Sequence, residues 1–255
     1  MIVAVWGRDG SGKSMLADAL ADRLASGDQL AAVIDTDLTQ PTVHLRKPIH
    51  EVKEEERFGS LGRAIAGVGL LEARSYLHQH HQNKSLFIAG LTAKDDYLSY
   101  ELGLGAKDIA ERFVKSCAEV VDHVVLDCSG QRTDPFLPVA LSLADAFIVV
   151  LTPEPQSIWW WWSVVQFLTT TVGLKKVVPV MNMVQRHHDY ESAVKGTALE
   201  ESLGVVLPLP WSRELDALRC AGELPRGVAS IPGRKWNRHM QQLLFRLAGM
   251  GGETV

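Results

Sequence analysis

The 255-residue chain is 46% hydrophobic and 22% charged with a formal net charge of −4, a balance that fits a folded globule and excludes a wholly basic nucleic-acid module. Its three cysteines, Cys117, Cys128 and Cys220, stand far apart with no CxxC pair, which argues against a disulfide framework and against a paired-thiolate zinc or iron–sulfur site. Met1 leads straight into an apolar run with no basic leader region and no small-residue cleavage site, so a cytoplasmic location is expected.

From the N-terminus onward, short β-branched runs alternate with amphipathic segments. Residues 2–6, 31–35, 85–89, 123–127, 146–151, 176–182 and 205–207 read as strands. Most are apolar throughout, as strands covered on both faces are. Helices are expected at 13–25, 106–120, 156–169, 190–203, 213–221 and 234–248, the last with Trp236, Met240, Leu243, Leu244 and Leu247 on one stripe. This alternation predicts a three-layer, doubly wound α/β fold with a mostly parallel sheet and helices on both faces. The expected organisation is one domain over 1–255 with a variable insertion at about 50–83, where a charged run precedes a helix near 70–81.

The first strand is followed by Gly7-Arg8-Asp9-Gly10-Ser11-Gly12-Lys13-Ser14, which fits the pattern GxxxxGK[ST] in full. Glycines at this spacing let backbone amides turn inward around phosphate oxygens at the positive end of the next helix. Lys13 is placed to reach the outer phosphates, and the Ser14 hydroxyl to ligate Mg²⁺. Further along, Asp35-Thr36-Asp37 ends the second strand and Asp127-Cys128-Ser129-Gly130 ends a later one. Carboxylates at the C-terminal ends of parallel strands face the ligand crevice of an open α/β sheet. Each aspartate taken singly also fits a helix cap or a turn. In order behind a phosphate loop, the three together favour metal and water roles, with Asp127 placed to hold Mg²⁺ through water.

These residues make the sequence resemble the MinD/ParA family of P-loop ATPases. The resemblance covers nearly the whole chain outside 50–83. It is carried by GRDGSGKS at 7–14, DTDLTQP at 35–41, VVLDCSG at 124–130, VVLTPEPQSI at 149–158 and VVPVMN at 177–182. It implies an ATP-dependent sandwich dimer with Mg²⁺, in which Asp37 positions the attacking water with support from Asp35. It further implies that Gly130 supplies an amide near the γ-phosphate, that Asn182 reads adenine, and that Pro208-Leu209-Pro210 line the base pocket. The family's signature lysine after the first glycine is replaced by Arg8, and Asp9 follows where the family usually has glycine. Arg8 fits a catalytic arginine reaching across the dimer, and equally a solvated arginine paired with Asp9. The segments at 135–138 and 152–154 are similar to the CpaE/TadZ pilus-assembly group.

Four consecutive tryptophans, Trp159 to Trp162, sweep most of a helix circumference, so some are expected to pack on the sheet and at least one to be exposed to a protein or membrane partner. Their segment is too short to span a bilayer. The helix carrying them is expected to lie away from Arg8. Seven basic and three acidic residues between Arg213 and Arg246 form either a DNA-phosphate patch or a solvated face. His78, His80 and His81, and separately His187 and His188, read as surface histidines without a matching carboxylate. Together these features predict a Mg²⁺- and ATP-dependent switch that positions another assembly, whether pilus or secretion machine, chromosome or plasmid, or division apparatus. The alternatives are a nucleotide-dependent scaffold with little turnover and a metallocentre-insertion ATPase; the missing cysteine pair weighs against the second.

Overall fold

Residues 2–6 carry no charged side chain to face water, and the segment becomes a central strand. The computed structural model describes residues 1–38, 61–65, 72–91, 105–131, 134–185, 206–226 and 228–250. In it, β1 (Ile2–Gly7) sends Val3 and Val5 into one hydrophobic layer and Ala4 and Trp6 into the other, and all four are buried. The described chain continues through α1 (Lys13–Leu24), β2 (Ala31–Asp35), α2 (Leu61–Ile65), a 3₁₀ turn at Ala73–Ser75, β3 (His78–His80) and β4 (Asn83–Ala89). It then runs through α3 (Ala106–Val120), β5 (His123–Asp127), α4 (Phe136–Leu143), β6 (Ala146–Leu151) and α5 (Pro155–Thr171). A second 3₁₀ turn at Leu174–Lys176 leads to β7 (Val177–Val184), β8 (Leu207–Pro210), α6 (Arg213–Cys220) and α7 (Ile231–Met250).

The strands form one sheet in the order β3-β4-β2-β5-β1-β6-β7-β8. Every neighbouring pair is parallel except β3 with β4. One face is covered by α1, α6 and α7, whose Leu16, Leu20, Leu215, Trp236, Met240, Leu243 and Leu247 join the cluster beneath Val3 and Val5. The other is covered by α2 to α5 through residues such as Ile65, Phe113, Phe136, Trp161 and Leu168. This is the three-layer, mostly parallel α/β fold expected from the alternation of strands and helices. It puts the carboxyl ends of β1, β2 and β5 side by side, where such sheets bind ligands.

Local departures from the sequence reading have identifiable causes. The described part of the segment 70–81, residues 72–81, is not an α-helix. Its described part makes the Ala73–Ser75 turn and the edge strand β3, because Tyr76 buries edge-on against Phe113 of α3, ring centroids 5.6 Å apart, and fixes the chain before it can wind further. Helix α4 has no predicted counterpart. Its sequence FLPVALSL is apolar on nearly every side, so it carries no helical period, and Asp134 Oδ1 starts it by accepting the Phe136 N–H at 2.7 Å. The expected helix at 190–203 and most of the charged run after His50 lie outside the described residues.

Helix α5 opens with Pro155 in its first turn, and the buried Ser157 hydroxyl accepts the Thr152 N–H at 2.9 Å. Ser157, Trp161, Val164 and Leu168 form its buried stripe. Trp160 is half-buried and meets Trp6 edge-on at 4.9 Å, whereas Trp159 and Trp162 are 74% and 45% exposed. The four indoles therefore divide between core and surface as their 100° spacing dictates. Among the described residues, no helix is long and apolar enough to cross a membrane. Trp161→Ala is expected to destabilise the fold by about 3–5 kcal/mol, the usual cost of truncating a buried aromatic, while Trp159→Ala stays within about 0.5 kcal/mol of wild type. Urea unfolding of the two variants checks the contrast.

Candidate functional site

Between β1 and α1 the backbone makes a turn that side-chain-bearing residues rarely follow. Gly10 and Gly12 adopt φ of +78° and +81°, which glycine tolerates without steric cost. The turn is pinned on three sides. Ser11 N donates to Arg8 O at 3.1 Å across the loop. The buried Asn182 carboxamide donates from Nδ2 to Ser11 O at 2.8 Å. Trp6 Nε1, at the end of β1, donates to Ser129 O at 3.0 Å. Packing is so close that a Cβ on Gly12 would stand 2.4 Å from Asn182 Nδ2.

This loop feeds directly into α1, which has neither a side-chain cap nor an acidic residue in its first turn. The first helical amides therefore look for an acceptor that the helix cannot supply. The Ser11 hydroxyl is buried without a hydrogen-bond partner among the described residues. Lys13 is 9% exposed, with Nζ directed to Asp9 Oδ1 at 2.9 Å. An uncapped helix end and a nearly buried cation beside it fit a bound phosphate chain.

Opposite the loop, the parallel register of β2 and β5 sets Asp35 directly beside Asp127, and both are 2% exposed. They share a cavity of about 160 Å³ with Asp37, Lys13, Ser14 and Asp9. Asp37 is half-buried, and its N–H donates to Asp35 Oδ1 at 3.1 Å, which folds the Asp35–Asp37 turn back on itself. The oxygen set of Ser14, Asp35 and Asp127 has the hard-donor chemistry of a Mg²⁺ site. The structure thus brings together the residues that spacing alone suggested for phosphate and metal.

A second cavity, of about 330 Å³, runs from Gly12 and Lys13 along α1 past Asn182 and Pro210 to Trp211 and Leu215. Pro210 lines it; Pro208 does not, and its carbonyl accepts a hydrogen bond from His239. Asn182 is not at the end of its strand but within β7, beside Met183 at φ +58°, where the pairing with β8 shifts register. Sequence reasoning missed Trp211, whose indole beside Pro210 is the aromatic surface of this cavity; its place right after the 207–210 strand was the available signal.

It also missed Thr36 and Asp134, which tie the two acidic turns together. Thr36 Oγ1 lies 3.2 Å from both Asp127 O and Asp134 Oδ2, and accepts the Ser129 N–H at 3.3 Å. Burial, helped by the charges of Asp37 and Asp35, pushes the Asp134 carboxyl up to about 7 against the hydrogen bonds from Phe136 and Thr36.

Two sequence readings are corrected here. Arg8 does not lie away from the tryptophan helix, because β6 pairs with β1 and delivers the start of α5 to the loop; Arg8 Nη2 donates to Gln156 Oε1 at 2.9 Å. His80 is not a surface residue. It is 3% exposed, accepts the Gln82 N–H through Nδ1 and stacks on His81 at 4.6 Å, which leaves His81 outside and His78 half-buried. His187 and His188 lie outside the described residues. Within the basic C-terminal stretch, Arg226 pairs with the buried Asp22 of α1 and Arg219 with Asp216, so part of that charge is spent locally.

The three-layer fold, with this loop after the first strand, is similar to that of solved MinD and ParA structures. A Borrelia burgdorferi B31 protein assigned to plasmid partition and bound to AMPPNP superposes with a TM-score of 0.74 at 13% identity, covering 96% of this chain and 98% of that one. The Pyrococcus horikoshii OT3 septum site-determining protein MinD, complexed with Mg-ADP, gives 0.73 at 18% identity over 99% and 98%. The Aquifex aeolicus MinC:MinD cell-division complex gives 0.68 at 16% over 100% and 96%. No protein-family model matches the chain, and no curated protein does.

Two variants check this geometry. Gly12→Ala puts a methyl group against Asn182 and forces a left-handed alanine, so it is expected to lower Mg-ATP affinity by at least tenfold, read by calorimetry. Asp134 gives a pH dependence of stability. Its carboxyl ionises near 4 in the unfolded chain and about 7 in the fold. Its contribution is therefore full below about pH 4 and is lost as pH rises through about 7. Asp134→Asn should flatten that fall in denaturant-unfolding curves, and an unchanged slope between the two pH limits would count against the assignment.

Proposed function

We propose that this chain is a Mg²⁺-dependent ATP-binding and ATP-hydrolysing switch that dimerises on ATP and positions another cellular assembly. The observation that carries the reading is the convergence on one cavity of the Lys13 cation, the Ser14 hydroxyl and the register-matched pair Asp35 and Asp127. The fold likeness to proteins bound to AMPPNP and Mg-ADP supports it.

In this reading the amides of the Gly10–Ser14 loop and α1 bind the inner phosphates, and Lys13 neutralises the outer ones. Ser14, Asp35 and Asp127 hold Mg²⁺, which when bound offsets charge on the phosphate oxygens. Asp37, exposed enough to meet solvent yet anchored through Asp35, orients the attacking water by accepting its hydrogen bond. Asn182 keeps the loop in shape through Ser11 and presents the rest of its amide to the adenine end, which Pro210 and Trp211 line. Arg8 stabilises phosphate charge across the dimer, and its bond to Gln156 links the loop to α5, whose exposed Trp159 and Trp162 meet a protein cargo or regulator. A cytoplasmic location belongs to the same reading.

A second reading, a nucleotide-dependent scaffold with little turnover, is favoured by one observation: Lys13 pairs with Asp9 within its own loop. Turnover by the purified protein separates the two. Lys13→Ala is expected to weaken ATP binding by about a hundredfold or more, and Asp37→Ala to leave binding within about twofold while hydrolysis falls at least tenfold. Normal turnover in the Asp37 variant would remove its water-positioning role. Arg8→Ala should bind ATP normally but fail to dimerise on it, as read by sedimentation with AMPPNP.

A further inference from the structure

Among the described residues, Met183 is the one non-glycine residue whose backbone lies in the left-handed region, at φ +58°. Side chains rarely adopt that conformation, because Cβ crowds the following carbonyl oxygen. Its cause is an extra residue in β7. Met181 pairs with Pro208 and Val184 with Pro210, so three steps along β7 match two along β8. This is a β-bulge, which turns a side chain to a new face.

Up to the bulge, β7 alternates as a strand should. Val178 and Val180 enter the apolar layer beneath α1, and Val177 and Met181 enter the opposite one. Asn182 keeps this rhythm and reaches the loop before α1. A regular strand would then send Met183 into the opposite layer, where Met181 is buried. Instead Met183 stays half-buried on the side of Asn182, and Val184 packs in the opposite layer. Both consecutive side chains converge on Gly12, where a Cβ would stand 3.0 Å from Met183 Cε and closer still to Asn182 Nδ2. Both line the cavity of about 330 Å³, whose walls beyond the loop turn apolar with Met15, Pro210, Trp211 and Leu215. The chain thus accepts backbone strain and gives up core burial at one position, and gains a side chain in the cavity. Strain held at a cavity wall points to a ligand contact rather than to packing. An unbranched thioether suits such a contact, since it adapts its shape and packs favourably on aromatic rings.

We propose that Met183 is a ligand-contacting residue: the bulge turns its thioether into the cavity, where it packs against the base end of the nucleotide. The proposal rests on reading the cavity as a nucleotide site. It is tested with Met183→Asn, Met183→Gly and Met183→Leu, by urea unfolding and by calorimetric titration with Mg-AMPPNP. Asparagine and glycine tolerate the left-handed backbone and lack the thioether, so their urea midpoints should not fall below wild type. Both should weaken Mg-AMPPNP by at least about fivefold. Leucine keeps the apolar bulk and should bind within about twofold of wild type. The affinity of Mg-tripolyphosphate, which carries no base, should change by less than about twofold in every variant when read by competition. Three results overturn the proposal: unchanged Mg-AMPPNP affinity, affinity and urea midpoint falling together, or an equal loss for tripolyphosphate. The first two leave the bulge a feature of packing, and the third makes Met183 a support for the loop. Wild type that binds no Mg-AMPPNP overturns the nucleotide reading itself, and the proposal with it.

Discussion

Two left-handed backbone positions, Gly10 and Gly12, set everything else at this site. They turn the chain sharply after β1 and lead it straight into α1, whose first turn has no side-chain cap. The loop's path tolerates side chains poorly, since a Cβ on Gly12 would stand 2.4 Å from Asn182 Nδ2. The protein holds it from outside. Asn182 crosses from β7 and donates to the Ser11 carbonyl, which fixes the loop's shape. Trp6 fastens the end of β1 to Ser129. Both clamps depend on the strand order, which puts β5 and β6 on either side of β1 and β7 next to β6.

The second constraint is charge. Parallel pairing of β2 with β5 forces Asp35 and Asp127 together at one level, away from bulk water. With Asp37 and Asp9 nearby, the cavity holds more negative than positive charge before any ligand enters. A polyphosphate alone would add to the imbalance; a divalent cation held by the same carboxylates relieves it. In the proposed reading, this imbalance would couple the binding of nucleotide to that of Mg²⁺. The Thr36 hydroxyl, between Asp134, the Asp127 carbonyl and the Ser129 amide, ties one acidic turn to the other.

Much of this was legible in the residues. Short β-branched apolar runs read as strands covered on both faces, and 31–35, 123–127 and 146–151 emerge with the expected bounds. The loop at 7–14 announces itself because its backbone path requires glycine at fixed intervals. Local pattern failed where no period exists, as in α4, or where a distant contact decides, as for the segment 70–81 against Phe113. The Arg8–Gln156 bond joins residues 148 positions apart. It follows from β6 pairing with β1, which alternation of strands and helices does not specify. His80 was misread for the same reason: its burial comes from a hairpin that its own polar sequence conceals.

The account stands on the claim that the amides at the start of α1 hold phosphate, and amide hydrogen exchange reads those groups directly. With saturating Mg-AMPPNP, exchange at Lys13, Ser14 and Met15 should slow by at least about tenfold, because the first-turn donors of a helix have no partner of their own until an anion supplies one. Nucleotide binding that leaves exchange at these three amides unchanged would contradict the account.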